Sequence, residues 1–306
     1  MILSVSRRTD IPQYYSDWFF NRMKEGFLYV KNPMNSHQVS RIELSPDLVD
    51  LVVFWTKNPA PMMRRIGELG EIPYYIQFTL TGYGRGMEPG LPDKRELIRI
   101  FRETAETAGR NRMVWRYDPV LLNERYPAEY HFRAFEAIAE GICGCTDKVV
   151  ISFLDCYGKT KRNMRGIPLE TPDTETMKRM GETFVKTAER FGMRVESCAE
   201  AVDLSDVGIR HGSCIDPAMA EQILGVPIHV KKDKNQRPVC GCVESVETGA
   251  YDTCLCGCKY CYANDSEEAV KRRRAVYDAD SPLLCGTVEE GDRITVRRTA
   301  RIRSGE

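Results

Sequence analysis

One pattern recurs often enough along this chain to limit what it can fold into. A short apolar run of β-forming residues is followed by a polar cluster and then an amphipathic helical stretch, six times over. "ILSVS" leads through "RRTDIPQ" into "YSDWFFNRMKEG"; "VDLVVFW" through "TKNPAP" into "MMRRIGELG"; and "YYIQFTL" through "TGYGRGMEPGLP" into "DKRELIRIFRETAETAG". "RMVWRY", "DPVLLNERYP" and "AEYHFRAFEAIAEG" form the fourth unit, and "KVVISFL", "DCYGKTKRNM" and a helix near Asp173–Phe191 the fifth. The sixth is "MRVESCAEA" with a helix near Pro217–Leu224. Strands that are apolar on both faces and separated by helices belong to parallel sheets with both faces covered. Six or more such units in one α/β domain predict a TIM-like barrel, whole or partial. "FLYVKNPMNSHQVSRIEL" breaks the rhythm and reads as a hairpin or extended insertion.

In such barrels the active site gathers at the C-terminal ends of the strands. Those ends carry Arg7, Arg8, Thr9 and Asp10; Thr56, Lys57 and Asn58; Thr79 and Thr81; Arg116 and Asp118; Asp155; and Cys198 and Glu200. Taken singly, such residues also serve as helix caps or solvated loop positions. Six polar strand ends facing one mouth point instead to a polar active site.

The 306 residues suffice for a large core, and the expected division is a βα core over 1–225 completed by a C-terminal segment over 226–306. Forty-four Lys and Arg balance 44 Asp and Glu, so no global field attracts nucleic acid or an anionic membrane. Any basic site is therefore local. No apolar run approaches the roughly 18 residues of a membrane span, and "MILSVSRRTD" lacks the build of a signal peptide. The expectation is a cytoplasmic protein with no membrane partner.

In that setting twelve cysteines call for an explanation other than disulfides, which belong mainly to small secreted chains. Four of them fall within "CLCGCKYCYAND", spaced Cys254-x₃-Cys258-x₂-Cys261 with Cys256 between. Three soft thiolates on a tight loop, with Gly257 permitting the bend, can hold three irons of a [4Fe–4S] cluster and leave the fourth iron open. Cys256 is an available fourth thiolate, which would close the cluster for plain electron transfer. A structural zinc site built from Cys240, Cys242, Cys258 and Cys261 is a further reading.

Cys254-x₃-Cys258-x₂-Cys261, with an aromatic before the third cysteine, resembles the radical S-adenosylmethionine (SAM) signature. "GCKYCYAN" is especially similar to the cluster loop of the spore photoproduct lyase branch. "SVSRRTDIPQYY", "VVFWTKNPAPMMRRI", "FTLTGYGRGMEPGLPDKRELIRIF" and "WRYDPVL" resemble, in that order, the second to fifth strand regions of that branch. The whole chain resembles a family of uncharacterised proteins with such a cluster at the C-terminus. In ordinary members the cluster loop follows the first barrel strand, so the resemblance implies a circularly permuted barrel. Val243–Thr253 would then lie beside Ile2–Ser6, with Cys261 near Arg8 and Thr9. The Gly-Gly-Glu segment that many members use near the methionine amino group is missing.

The resemblance implies an enzyme that binds a [4Fe–4S] cluster on Cys254, Cys258 and Cys261 and cleaves SAM to a 5′-deoxyadenosyl radical. An electron donor such as flavodoxin or ferredoxin would serve it. Arg7, Thr9, Tyr260, Tyr262 and Asn264 are the cofactor-binding candidates, and Arg8, Asp10, Lys57, Arg116 and Asp118 the catalytic ones. A salt-bridged barrel interior would use the same charged residues. Cys198, Cys214, Cys240 and Cys242 are candidates for an auxiliary iron–sulfur or zinc site, against the alternative that Cys198 and Cys214 are small buried apolar residues. Cys143, Cys145, Cys156 and Cys285 read as core or loop positions, with Cys156 also a candidate thiol at a strand end. The substrate is open among nucleic acid, peptide and small molecule. The basic runs "KRRR" and "RRTARIR" lack the interleaved aromatics of a single-strand binding platform. A non-enzymatic barrel, stabilised by zinc or iron–sulfur and binding a nucleic acid or partner, is the competing class.

Overall fold

Eight strands lie side by side in one all-parallel sheet, and the first of them is not the first in sequence. The computed structural model describes residues 1–155 and 158–303. Its strands are β1 (Ile2–Val5), β2 (Phe27–Asn32), β3 (Asn35–Glu43), β4 (Leu51–Thr56), β5 (Tyr74–Thr79), β6 (Met113–Val120), β7 (Lys148–Phe153), β8 (Arg194–Cys198), β9 (Arg210–Gly212), β10 (Val246–Glu247) and β11 (Arg293–Val296). In space the large sheet runs β10-β1-β4-β5-β6-β7-β8-β9. As expected for Val243–Thr253, β10 pairs in parallel with β1, Leu3 facing Val246 and Ser4 facing Glu247. Across the other edge of β1 the register is Ile2 to Leu51 and Val5 to Phe54.

The apolar runs are continuous because both faces of the sheet are covered. Helices α1 (Ile11–Tyr14), α2 (Ser16–Glu25), α3 (Ala60–Met63), α4 (Lys94–Ala108), α5 (Ala128–Gly141), α6 (Gly158–Asn163), α7 (Thr174–Arg190), α8 (Pro217–Leu224) and α9 (Glu267–Ala275) connect or flank the strands. One face packs Leu3, Phe54, Phe78 and Trp115 against Trp18, Phe101, Phe135 and Phe184 of the helices. The other packs Ile2, Leu51, Val53, Tyr75, Val114 and Val150 against Ile215, Met219, Val243 and Ile302. Helix α4 shows why the pattern was readable. The Asp93 carboxylate accepts from the Arg95 and Glu96 amides, and Leu97, Ile100, Phe101, Thr104, Ala105 and Ala108 form one buried stripe.

The stretch that breaks the rhythm is an antiparallel hairpin, β2 with β3, and β11 adds to β3 in parallel as a separate three-stranded sheet. Two expectations need correction. "MMRRIGELG" is not one helix: α3 ends at Met63 and a single 3₁₀ turn, Ile66–Leu69, follows. Pro59 and Pro61 leave few amide donors, Gly67 loosens the turn, and Gly70 at φ +58° ends it. The barrel, too, is not closed by a ladder. Among the described residues β9 and β10 exchange no strand pairing. The chain just beyond β9 and just before β10 meets through one backbone bond, Val243 N–H to Ile215 O at 3.2 Å. No helix among the described residues is long and apolar enough to cross a membrane.

Candidate functional site

The cysteine loop is held by its backbone, which leaves its sulfurs available. Gly90 N–H donates to Cys256 O at 3.0 Å and Lys259 N–H to Met87 O at 2.9 Å, docking the loop on the β5–α4 connection. Asn264 Nδ2 donates to Cys254 O at 2.8 Å, and Asn163 Nδ2 reaches both Cys261 O and Asn264 O at 2.9 Å. Tyr15 Oη donates to Thr253 O. Gly257 sits at φ +65°, where a side chain would be strained, and a Cβ there would stand 3.0 Å from Pro89. The approach at Gly90 is tighter still: a Cβ would lie 2.5 Å from Leu255 O.

Cys254, Cys256, Cys258 and Cys261 line a cavity of about 580 Å³. Burial raises the Cys261 thiol to about 12, while contact with Cys256 lowers Cys254. Cys256 is 2% exposed, with Asp10 Oδ2 and Gln13 Oε1 near its sulfur at 3.8 and 3.6 Å.

A buried ionic network stands behind the loop. Lys57 Nζ donates to Glu88 Oε1 at 2.8 Å and to Tyr260 Oη at 3.0 Å, and Lys94 Nζ bonds the other Glu88 oxygen. Thr81 Oγ1 donates to Glu88 at 2.9 Å, and the Tyr260 hydroxyl donates to it as well. Burial alone would raise the Glu88 carboxyl, but Lys57 and then Lys94 hold it down at about 2. Asp10, which burial raises to about 6, accepts from the Lys57 and Gln13 amides at 2.7 and 3.0 Å. It thereby caps α1 and fixes the start of the β4 loop.

On the neighbouring strand ends, Arg7 Nε reaches Glu247 at 3.4 Å and Arg7 Nη2 reaches Ser245 Oγ at 3.2 Å, tying β1 to β10. Arg7 Nη1 and Thr9 Oγ1 are buried without a hydrogen-bond partner. Arg8 lies over the Tyr251 ring at 5.0 Å and donates to Gly249 O, with no carboxylate in ion-pair reach among the described residues. Arg116 donates to Asp118, to Gln77 Oε1 at 3.3 Å and to Cys214 Sγ at 2.8 Å. Ser152 Oγ donates to the other oxygen of Asp118.

Cys214 belongs to a second sulfur group. Cys198 Sγ is 3.0 Å from Cys214 Sγ, and Cys242 Sγ accepts from the amides of Cys214 and Ile215 at 3.3 and 3.4 Å. Cys242 N–H in turn donates to Cys240 Sγ at 3.5 Å. Cys198, Cys214, Cys240 and Cys242 line the same cavity as the loop cysteines.

The cavity thus gathers nearly all the residues picked out from sequence: Arg7, Arg8, Thr9, Asp10, Lys57, Arg116, Asp118, Tyr260 and Tyr262 as well as the seven metal candidates. Asn264 is not among the residues lining the cavity: it is 8% exposed, its Nδ2 donates to the Cys254 carbonyl and ties the loop to itself, and its Oδ1 is buried without a hydrogen-bond partner. The zinc reading that joins Cys240 and Cys242 to Cys258 and Cys261 finds no support, since each pair keeps its own sulfur neighbours. Cys143 Sγ faces Phe191 O at 3.9 Å, Cys145 Sγ faces Cys143 O at 3.8 Å with its side chain packed against the core, and Cys285 is buried beside Tyr15. Cys156 lies outside the described residues. Glu88, Trp55 and Ser152 were not singled out in advance. Glu88 alone had a signal, lying in the "MEPGLP" segment, where a carboxylate before proline reads as a turn residue rather than a buried anion.

The profile of the family described as "Domain of unknown function (DUF1848)" matches residues 2–263. The chain belongs to that family. The match takes in the whole large sheet and Cys254, Cys258 and Cys261, and stops before α9 and β11. No curated protein matches the chain. A solved structure from Bacteroides thetaiotaomicron, described as a candidate alpha-L-fucosidase, aligns over 57% of this chain and 72% of its own at 14% identity. Its TM-score of 0.28 is too low to carry any argument.

Proposed function

We propose that this protein is a radical SAM enzyme that holds a [4Fe–4S] cluster on Cys254, Cys258 and Cys261 and binds SAM in the adjoining cavity. One observation carries the reading. A three-thiol loop contributed from the end of the chain and polar strand ends contributed from its beginning line one cavity, with β10 seated beside β1. The chemistry of the wall fits such an occupant. Among the described residues, Arg7 Nη1 and Thr9 Oγ1 are buried donors that lack a partner, and Arg8 has no carboxylate in ion-pair reach. These are the groups that would take the carboxylate and ribose hydroxyls of SAM. Lys57 lies close enough to Cys256 and Cys258 to feel their thiolates, and supplies positive charge beside an anionic centre.

When bound and reduced, the cluster and SAM together would supply a 5′-deoxyadenosyl radical for hydrogen abstraction. The protein's own part is positional. Glu88 fixes Lys57 and Tyr260, Asp10 fixes the Lys57 backbone, and Asn163 and Asn264 fix the loop. Arg116 is engaged by Asp118 and Cys214, so it shapes the wall and leaves Arg8 to meet an anionic group. An electron donor of the flavodoxin or ferredoxin type completes the reading.

The substrate we favour is a small molecule. The cavity volume is in the range of small-ligand sites. The basic runs are partly absorbed by the fold: Arg274 stacks on Tyr277 at 4.1 Å and Tyr15 at 5.2 Å, and Arg303 pairs with Asp50 at 3.3 Å.

The test is anaerobic reconstitution with iron and sulfide, followed by electron paramagnetic resonance of the reduced protein with and without SAM. A [4Fe–4S]⁺ signal that changes with SAM, with release of 5′-deoxyadenosine, is expected. A colourless protein, or a cluster indifferent to SAM, would overturn the reading.

A further inference from the structure

The second sulfur group lies where, among the described residues, the large sheet has no strand pairing to hold its two ends together. Cys198 is the last residue of β8, Cys214 follows β9 by two positions, and Cys240 and Cys242 come just before β10. In space their sulfurs follow one another: Cys198 beside Cys214, Cys214 beside Cys242, Cys242 beside Cys240. Two chain segments that are distant in sequence are pressed together there. A Cβ on Gly241 would meet Gly212 O and the Ser213 Cβ at 3.2 Å. Two of the sulfurs already act as hydrogen-bond acceptors: Cys242 Sγ accepts two backbone N–H bonds, and Cys214 Sγ accepts one from the Arg116 guanidinium.

From this juxtaposition we propose that Cys198, Cys214, Cys240 and Cys242 form a second metal centre, a single four-thiolate ion of the zinc type that clips the β8–β9 end of the sheet to the strand entering β10. A thiophilic divalent ion with metal–sulfur bonds of about 2.3 Å sets sulfurs about 3.8 Å apart in a tetrahedron. Cys198 and Cys214 at 3.0 Å are closer than that spacing, and no three of the four sulfurs lie within 4.8 Å of one another, so an ion would spread the first pair and draw Cys240 and Cys242 in. Thiolates on separate irons of a cubane would be held further apart still by the atoms between them. Binding displaces the four thiol protons to solvent and leaves a net negative site. Arg116 is the cation already in place to offset it. The four protein ligands fill the coordination sphere, so the ion is structural: it fixes one wall of the cavity without touching a reactant. The centre does not depend on what the Cys254 loop binds.

The test separates the two centres. The Cys254→Ala/Cys258→Ala/Cys261→Ala triple variant, purified without oxygen, should keep one tightly bound zinc per chain by elemental analysis. Loading it with cobalt should give the strong visible bands and near-ultraviolet sulfur-to-cobalt charge transfer of a tetrahedral four-sulfur site. Adding Cys214→Ser and Cys242→Ser should remove the ion and lower the melting temperature. The milder single variant Cys240→Asp should keep the fold and shift the cobalt spectrum to a three-sulfur pattern. A triple variant that binds no metal, one that retains iron with acid-labile sulfide, or one whose mass shows a Cys198–Cys214 disulfide would each overturn the proposal.

Discussion

Leu3 and Val246 are direct partners in one parallel ladder, and the residues next to them, Ser4 and Glu247, are 243 positions apart. A strand of two residues thus supplies the outer neighbour of the buried strand β1. Val246 is 5% exposed, so Val246→Asp would bury an unpaired carboxylate against Leu3. It should cost about 3 kcal/mol or more in denaturant unfolding and lower iron uptake at the loop that follows. Wild-type stability in this variant would show that β10 is not needed by the sheet.

Glu88 is the hub of the buried network, and its loss should be felt at both ends. Glu88→Ala strands Lys57 and Lys94 without their shared anion and should destabilise the fold by about 3–5 kcal/mol. Glu88→Gln keeps the shape and should be milder, since Lys57 and Tyr260 retain an acceptor. Equal losses in the two variants, read by equilibrium unfolding, would contradict a charge-based role.

The glycine under the loop makes a sharper prediction. Gly90→Ala places a Cβ against Leu255 O and Cys256 O, which are backbone atoms that move only with the loop. Reconstituted iron should fall several-fold while far-ultraviolet circular dichroism and the melting temperature stay near wild type. Full iron loading would mean that the loop tolerates displacement.

Cys256 touches Cys254 and Cys258, but its sulfur also faces Asp10 and Gln13 and it falls outside the Cys254-x₃-Cys258-x₂-Cys261 spacing of the proposed cluster ligands. Cys256→Ala should therefore keep a SAM-responsive cluster, whereas alanine at Cys254, Cys258 or Cys261 should abolish it. Loss of the signal in Cys256→Ala alone would make it a ligand.

Glu200 carries a pH signature. Its Oε1 accepts from Phe153 N–H at 2.7 Å, and burial, reinforced by Asp155 and Asp118, raises its carboxyl from 4.5 to about 7. The folded state binds this proton more tightly than the unfolded chain, so its stabilisation is complete below 4.5 and lost as pH rises through about 7. The wild type should lose on the order of 2 kcal/mol between about pH 5 and pH 8 beyond the loss seen in Glu200→Gln. Parallel profiles for the two proteins would remove Glu200 from the account.

The strands that could be read from sequence were those buried on both faces, because a continuous apolar run survives any register. β9 was missed: Arg210, His211 and Gly212 carry no apolar signal and pair only through backbone to β8. Helix α9 was hidden for a related reason, since Val270 is its one buried residue and "KRRR" reads as a charge run. At the site, side chains announced by residue type at strand ends were visible. Glu88 was not, because burial of a carboxylate is decided by two lysines from different elements. Nor could spacing alone pair Cys198 with Cys214 rather than Cys240 with Cys258; that assignment belongs to the topology.

The order of the strands also governs when the site can exist. A chain grows from its first residue, and N-terminal portions begin to fold during synthesis. Here β1 is made long before its outer neighbour, which follows only at residue 246, and the loop sulfurs come later still, from 254 to 261. A chain stopped before residue 246 therefore has at most the other strands of the large sheet and none of the Cys254 loop. Any metal the loop takes up is confined to chains that have passed residue 261, so its loading would report that the sheet already has its last strand.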